Sequence, residues 1–312
     1  MLAVFESILP IFLLIVAGNL LRRAPAFAPE TWPGLEQIAY WFLYPCLLFV
    51  TILNADFTGL QLDAMMAALA AAVTVMAVLT LALWPLLGRT GLIAASEFSS
   101  VFQTALRWNG FMAFAIAEKL FPPAGAAVVA LVMAVIIVPI NLMSVYVVTR
   151  FADRGANWTA ITRAMATNPL ILASIAAILM RAQPFGFYEP LNQALDLVGR
   201  AALGMGLIVI GAGLKPERLW SLRLALWLPV VLKLAVFPVL LIGAGLALGV
   251  DGPELEYLAL CAAVPTAMNG YLLARQLGGD ADLYAAAVTM QTALSFFTIP
   301  AVLGVTAQLI SG

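Results

Sequence analysis

Ten runs of apolar residues follow one another along the chain, at about 3–21, 34–53, 64–87, 98–118, 124–149, 164–181, 190–213, 221–248, 255–277 and 283–309. Each approaches the roughly 20 residues that an α-helix needs to cross a bilayer. Short polar links separate them, such as Arg22 to Ala26 after the first run and Leu214 to Arg218 after the seventh. Pro, Gly and charge in those links mark turns. The pattern predicts an all-α polytopic membrane protein with ten transmembrane helices.

Two runs are interrupted by the wrong residues for a continuous helix. Run nine carries Pro265, Thr266 and Asn269 near its middle, and an internal proline removes a backbone donor and clashes with the preceding turn. Broken backbone at membrane depth is tolerated only where protein or a water-filled cavity satisfies it. Run four carries Arg107, Asn109 and Gly110 at a comparable depth. Asn109 and Asn269 are 160 residues apart, and Pro139 and Pro300, in runs five and ten, are 161 apart. These matched spacings divide the chain into two five-helix repeats, 1–150 and 151–312, within one integrated membrane domain. An odd number of spans per half places the copies in opposite orientation, an inverted repeat.

Asparagine is a strong N-cap residue, and glycine tolerates unwound backbone. Asn109 and Asn269 can therefore each cap the second half of a broken helix. Two half-helix N-termini would then face each other, offering free N–H groups and partial positive charge to an anion. The alternative reading makes both asparagines interhelical hydrogen-bond partners.

Composition narrows the class. The 312 residues are 64% hydrophobic and 10% charged, with mean hydropathy +1.04, against about 25% charged in soluble domains. A net charge of −1 gives no electrostatic case for nucleic acid. Histidine is absent, which removes the commonest general base and a common metal ligand, so no enzyme, cofactor or metal site is expected. Cys46 and Cys261 lie inside apolar runs and read as small buried hydrophobes. Arg22 and Arg23 follow the first run and no charge of that sign precedes it, so the run reads as a retained span and not a signal peptide. Basic residues accumulate in cytoplasmic loops. With both termini outside, the inward links carry Arg22, Arg23, Arg89, Arg150, Arg154, Arg163, Lys215, Arg218, Arg223 and Arg275, against Lys119 and Arg181 outside.

Several stretches carry a family resemblance. Residues 265–280 read PTAMNGYLLARQLGGD, residues 42–49 read FLYPCLLF, and Arg107 to Gly110 and Asn168 to Ile171 add support. Over nearly its whole length the chain resembles the bacterial branch of the auxin efflux carrier family, relatives of the plant PIN carriers. The resemblance implies the ten-helix inverted-repeat fold of bile-acid symporters and sodium/proton antiporters, with broken helices crossing in spans four and nine. It also implies small organic anions as substrates, with Asn109, Pro265 and Asn269 at the crossover. Many members have a proline shortly after the span-four asparagine, and this chain has none there, which implies a milder break resting on Asn109 and Gly110.

The leading expectation is a secondary transporter of a small mono- or dicarboxylate, working by alternating access. Asn109, Gly110, Arg107, Pro265, Thr266 and Asn269 form its expected substrate site. Arg107 is either a two-pronged carboxylate donor or an ion-pair or snorkelling cation. Arg275, Lys233 and Arg200 are gate or charge-balance candidates. Asp196 and Arg200 stand at i and i+4, which suits an intrahelical pair. An alternative is sodium-coupled symport with Gln291, Thr292 and Ser295 as oxygen donors. Proton coupling is equally open, and a non-transporting receptor or an intramembrane enzyme is a lesser alternative. The expected partners are the organic anion and the bilayer of a bacterial inner membrane. Relatives on this fold often form dimers, so a homodimer is allowed.

Overall fold

A computed structural model of the chain describes residues 2–151, 159, 163, 166–183, 186–216 and 223–311. Helix occupies each of the ten apolar runs. In the first half these are α1 (Leu2–Leu21), α2 (Thr31–Ile38), α3 (Tyr44–Asn54), α4 (Leu62–Ala82), α5 (Trp84–Arg89), α6 (Ala95–Leu106), α7 (Gly110–Leu120) and α8 (Pro123–Phe151). In the second half they are α9 (Pro169–Arg181), α10 (Glu189–Gly213), α11 (Leu224–Val231), α12 (Phe237–Ala247), α13 (Gly252–Ala263), α14 (Gly270–Leu277) and α15 (Ala281–Ser311). A π-helical turn, Ala39–Leu43, joins α2 to α3, and a second, Leu232–Val236, joins α11 to α12.

Among the described residues, six continuous helical stretches are long and apolar enough to cross a membrane: Thr31–Asn54, Leu62–Arg89, Pro123–Phe151, Glu189–Gly213, Leu224–Ala247 and Ala281–Ser311. Phe5–Leu21 and Pro169–Arg181 are shorter apolar helices. Helix α9 starts five residues later than the apolar run suggests. Asn168 Oδ1 accepts from the Leu170 and Ile171 amides at 3.0 and 3.4 Å, and Pro169 takes the first helical position, where its missing donor costs nothing. Arg154 and Arg218, two of the orientation-setting cations, lie outside the described residues.

The two remaining runs are broken, α6/α7 and α13/α14, and they hold the centre. Every residue from Glu97 to Gly110 and from Tyr257 to Thr266 is buried, while Leu197 and Val239 on α10 and α12 are more than two-thirds exposed. An apolar exterior around a polar-threaded interior is what a lipid solvent selects.

Two contacts between distant helices repeat the same device. Helix α1 packs on α10 so closely that a Cβ on Gly18 would meet the Ile208 carbonyl and one on Gly211 the Ile15 carbonyl, the small-residue contact that lets helices approach in membranes. Arg22, just past α1, donates to the Ala212 carbonyl of α10 at 2.9 Å. Arg181, at the end of α9, donates to the Ile52, Leu53 and Ala55 carbonyls at the end of α3. In each case an arginine satisfies the orphan carbonyls of a helix to which it does not belong.

The turn between α14 and α15 is fixed by its own chemistry. Gly278 ends α14 at φ +86°, a conformation glycine adopts without strain. Asp280 Oδ1 accepts from the Leu283 amide at 2.8 Å and so starts α15. Ser100 of α6 donates to the Asp280 carbonyl at 2.7 Å, tying this turn to the first broken helix. Nearby, Glu97 accepts from the Ala94 amide at 2.9 Å and forms an ion pair with Arg223.

Candidate functional site

The first break spans Arg107, Trp108 and Asn109. Arg107 leaves the helix with ψ 155°. Asn109, at φ −94° and ψ 83°, folds its side chain onto the Met112 amide at 3.1 Å and starts α7. The second break runs from Val264 to Asn269, and Pro265 lies in it.

The breaks satisfy each other. The Asn109 amide donates to the Pro265 carbonyl at 2.7 Å. The Thr266 hydroxyl shares its proton between the carbonyls of Thr104 and Arg107, at 2.8 and 2.9 Å. Gln291 of α15 completes the arrangement: its Oε1 accepts from the Thr266 amide at 2.9 Å, and its Nε2 donates to Thr104 and Pro229 at 2.8 and 3.1 Å. Each peptide group left unpaired in such a place would cost about 1–3 kcal/mol. These bonds are what allow two helices to be broken inside an apolar protein.

A cavity of about 60 Å³, counted as space for water-sized molecules, opens beside the breaks. At about 10–15 Å³ per water position, it has room for a few waters or a small polar group. Its polar lining comes from Arg107, Asn141, Asn168, Asn269 and Tyr40, and its apolar wall from Phe111, Met133, Ile136, Ile137 and Ile140. Phe111 is held flat by Tyr44, whose ring stacks on it with centroids 3.5 Å apart.

Arg107 is the cation of this lining. It is buried, and its Nη2 donates to Asn141 Oδ1 at 2.9 Å. Its Nε is buried with no hydrogen-bond partner. Among the described residues no carboxylate pairs with it. A guanidinium carries five donors and stays charged, and a buried charge ordinarily has a partner. Arg107 is therefore an under-satisfied cation that also lines the cavity.

Of the expected substrate residues, Arg107, Gly110 and Asn269 line the cavity. Asn109, Pro265 and Thr266 stand behind it as the hydrogen-bonded frame. Asn269 departs from the capping role read from sequence. It precedes Gly270 as Asn109 precedes Gly110, but its side chain accepts no capping hydrogen bond. Its backbone is already helical, at φ −58° and ψ −26°, whereas a capping side chain needs extended backbone to fold back. Asn269 is exposed, and among the described residues its side chain has no hydrogen-bond partner.

None of the gate candidates lines the cavity. Arg200 is exposed and pairs with Asp196 at 2.8 Å, Arg275 is exposed in the last turn of α14, and Lys233 is fully buried in the second π-helical turn. Gln291, Thr292 and Ser295 all direct their side chains to backbone. Thr292 donates to Val288 and Ser295 to Thr292, each at 2.8 Å, while Gln291 holds the breaks. Sequence reasoning overlooked Asn141, Asn168 and Tyr40. Asn141 was visible as a polar residue two positions after Pro139 in an otherwise apolar run. Tyr40 and Asn168 bond to each other at 3.0 Å, a pairing across 128 residues with no local signal.

The family described as membrane transport protein matches residues 3–303 of the chain. A search of curated proteins gave no match.

Proposed function

The chain belongs to the membrane transport protein family, the auxin efflux carriers, and from that premise we propose that it is a secondary transporter of a small monocarboxylate with an apolar body. The observation that carries this reading is the buried Arg107 guanidinium, without an acidic partner among the described residues, lining a cavity that Asn269 also lines with a side chain not used as a cap. One cation suits one carboxylate, with Arg107 as a planar donor and Asn269 as a neutral one. The opposing wall of Phe111, Met133 and isoleucines suits the rest of the molecule, since pockets fix orientation with few polar groups on an apolar lining.

The same proposal includes ten spans in two inverted halves, 1–150 and 151–312, with α6/α7 and α13/α14 as crossing broken helices. Its supports are the two breaks 160 residues apart and the prolines inside α8 and α15. The arginines 22 and 181, 159 apart, add to them, since each caps a helix of the other half. Transport would proceed by one bundle moving against the other around the breaks. Both termini would lie on the outer side of a bacterial inner membrane, as the basic loops suggest.

The test is ligand-induced thermal stabilisation of the purified chain with phenylacetate, benzoate, malonate, succinate, phenylacetamide and sodium chloride. A monocarboxylate at about a hundredfold excess over its Kd adds about 2.7 kcal/mol. Wild type should respond to phenylacetate or benzoate and ignore the amide, and Arg107→Gln should fold but lose the response. An equal response from Arg107→Gln, or stabilisation by dicarboxylates or sodium alone, would contradict the reading.

A further inference from the structure

The hydrogen bonds around the cavity leave it rich in donors and poor in acceptors. A guanidinium only donates, so the bond from Arg107 at 2.9 Å fixes Asn141 with its Oδ1 toward the arginine. The Asn141 amide N–H groups then stand beside the guanidinium, with no acceptor among the described residues. Asn168 is fixed by the same logic. Its Oδ1 caps α9 by accepting from the Leu170 and Ile171 amides, so it is Nδ2 that reaches the Tyr40 hydroxyl, at 3.0 Å.

Tyr40 is therefore the acceptor of that bond. Its own hydroxyl proton has no acceptor among the described residues. Tyr40 is half-buried and lines the cavity. It sits in the π-helical turn Ala39–Leu43, and such turns concentrate at functional sites.

A donor left unpaired when a ligand fills a site costs affinity and so discriminates among ligands. A carboxylate held by Arg107 has its two oxygens matched by the guanidinium fork and by the adjoining Asn141 N–H groups. Tyr40 is bonded to Asn168 and not to Arg107, which leaves its proton for a second acceptor on the ligand. In a space of about 60 Å³, that acceptor stands an atom or two from the carboxylate. A keto oxygen at carbon 2 accepts the proton and brings none of its own. A hydroxyl there adds a donor to a lining already rich in them, and a methylene accepts nothing.

We propose that the ligand of this cavity is a 2-oxo acid and that Tyr40 is the residue that selects it, its hydroxyl donating to the keto oxygen. The inference rests on the monocarboxylate reading above and narrows it.

The test compares three acids that differ only at carbon 2: phenylacetate, mandelate and phenylglyoxylate. Their dissociation constants are measured by calorimetric titration of the purified protein at about pH 7.5, where all three are ionised. Wild type should bind phenylglyoxylate at least about fivefold more tightly than phenylacetate, as one added hydrogen bond allows, and more tightly than mandelate. In Y40F the ratio between phenylglyoxylate and phenylacetate should fall below about twofold. Equal constants for those two acids in wild type, tighter binding of mandelate than of phenylglyoxylate, or a ratio that Y40F leaves unchanged would overturn the proposal. Should Y40F fail to fold, the wild-type ratio decides the keto group by itself. Equal binding of the three acids that Arg107→Gln abolishes removes this proposal and keeps the anion site, whereas binding of none removes both.

Discussion

The two broken helices solve the same problem with opposite economies. The first break uses three residues, no proline, and an asparagine whose side chain is spent on capping α7. The second uses six, with Pro265, and ends in an asparagine whose side chain is free beside the cavity. One asparagine builds the frame, and the other has the binding task proposed above. The difference teaches that equal position beside a break does not fix a residue's task; the backbone angle at the residue does. A helical Asn269 cannot reach its own helix end, so its amide is available to a ligand.

That contrast can be broken most severely at the clamp. Gln291→Leu preserves volume but strands the Thr266 amide, at about 1–3 kcal/mol, and takes one of two donors from the Thr104 and Pro229 carbonyls, at about 0.5–1.5 kcal/mol for each bond. The purified variant should lose about 3 kcal/mol or more of stability, read as a fall in Tm. Full stability would mean that the breaks hold without it. Thr266→Val, which removes one shared hydroxyl proton, should cost about 1–3 kcal/mol. The contrast itself is sharpened by the asparagine pair. Asn109→Ala should lose about 1 kcal/mol as a cap is removed, whereas Asn269→Ala should stay within about 0.5 kcal/mol of wild type and yet lose stabilisation by phenylacetate or benzoate. If Asn269→Ala is the less stable of the two, the assignment of tasks is reversed. The smallest effect belongs to Arg200→Gln, at about 0.3–0.5 kcal/mol for an exposed i,i+4 pair. Its ligand response should be unchanged, which separates loss of any arginine from loss of Arg107.

Much of this arrangement was legible in the chain. The apolar runs gave the helices because length and hydropathy are read locally. Pro265 and the Asn-Gly pairs announced the breaks, and Gly278 and Asp280 announced the stop and start beside them. Where sequence reading stopped was at the direction of side chains. Gln291 and Asn141 are both lone amides in apolar helices. Only the rotation of α15 and α8 about their axes turns one to a broken backbone and the other to Arg107. That no acid among the described residues pairs with Arg107 is likewise a fact of packing, since Glu97 lies ten residues away in sequence but pairs with Arg223.

The most direct measurement is a structure of the chain with the carboxylate that stabilises it best. The account predicts density for the carboxylate within hydrogen-bond reach of the Arg107 guanidinium and the Asn269 amide, with the body of the molecule against Phe111 and the isoleucines of α8. A carboxylate bound away from the two breaks, or an Arg107 paired with a protein carboxylate while the ligand is bound, would contradict it.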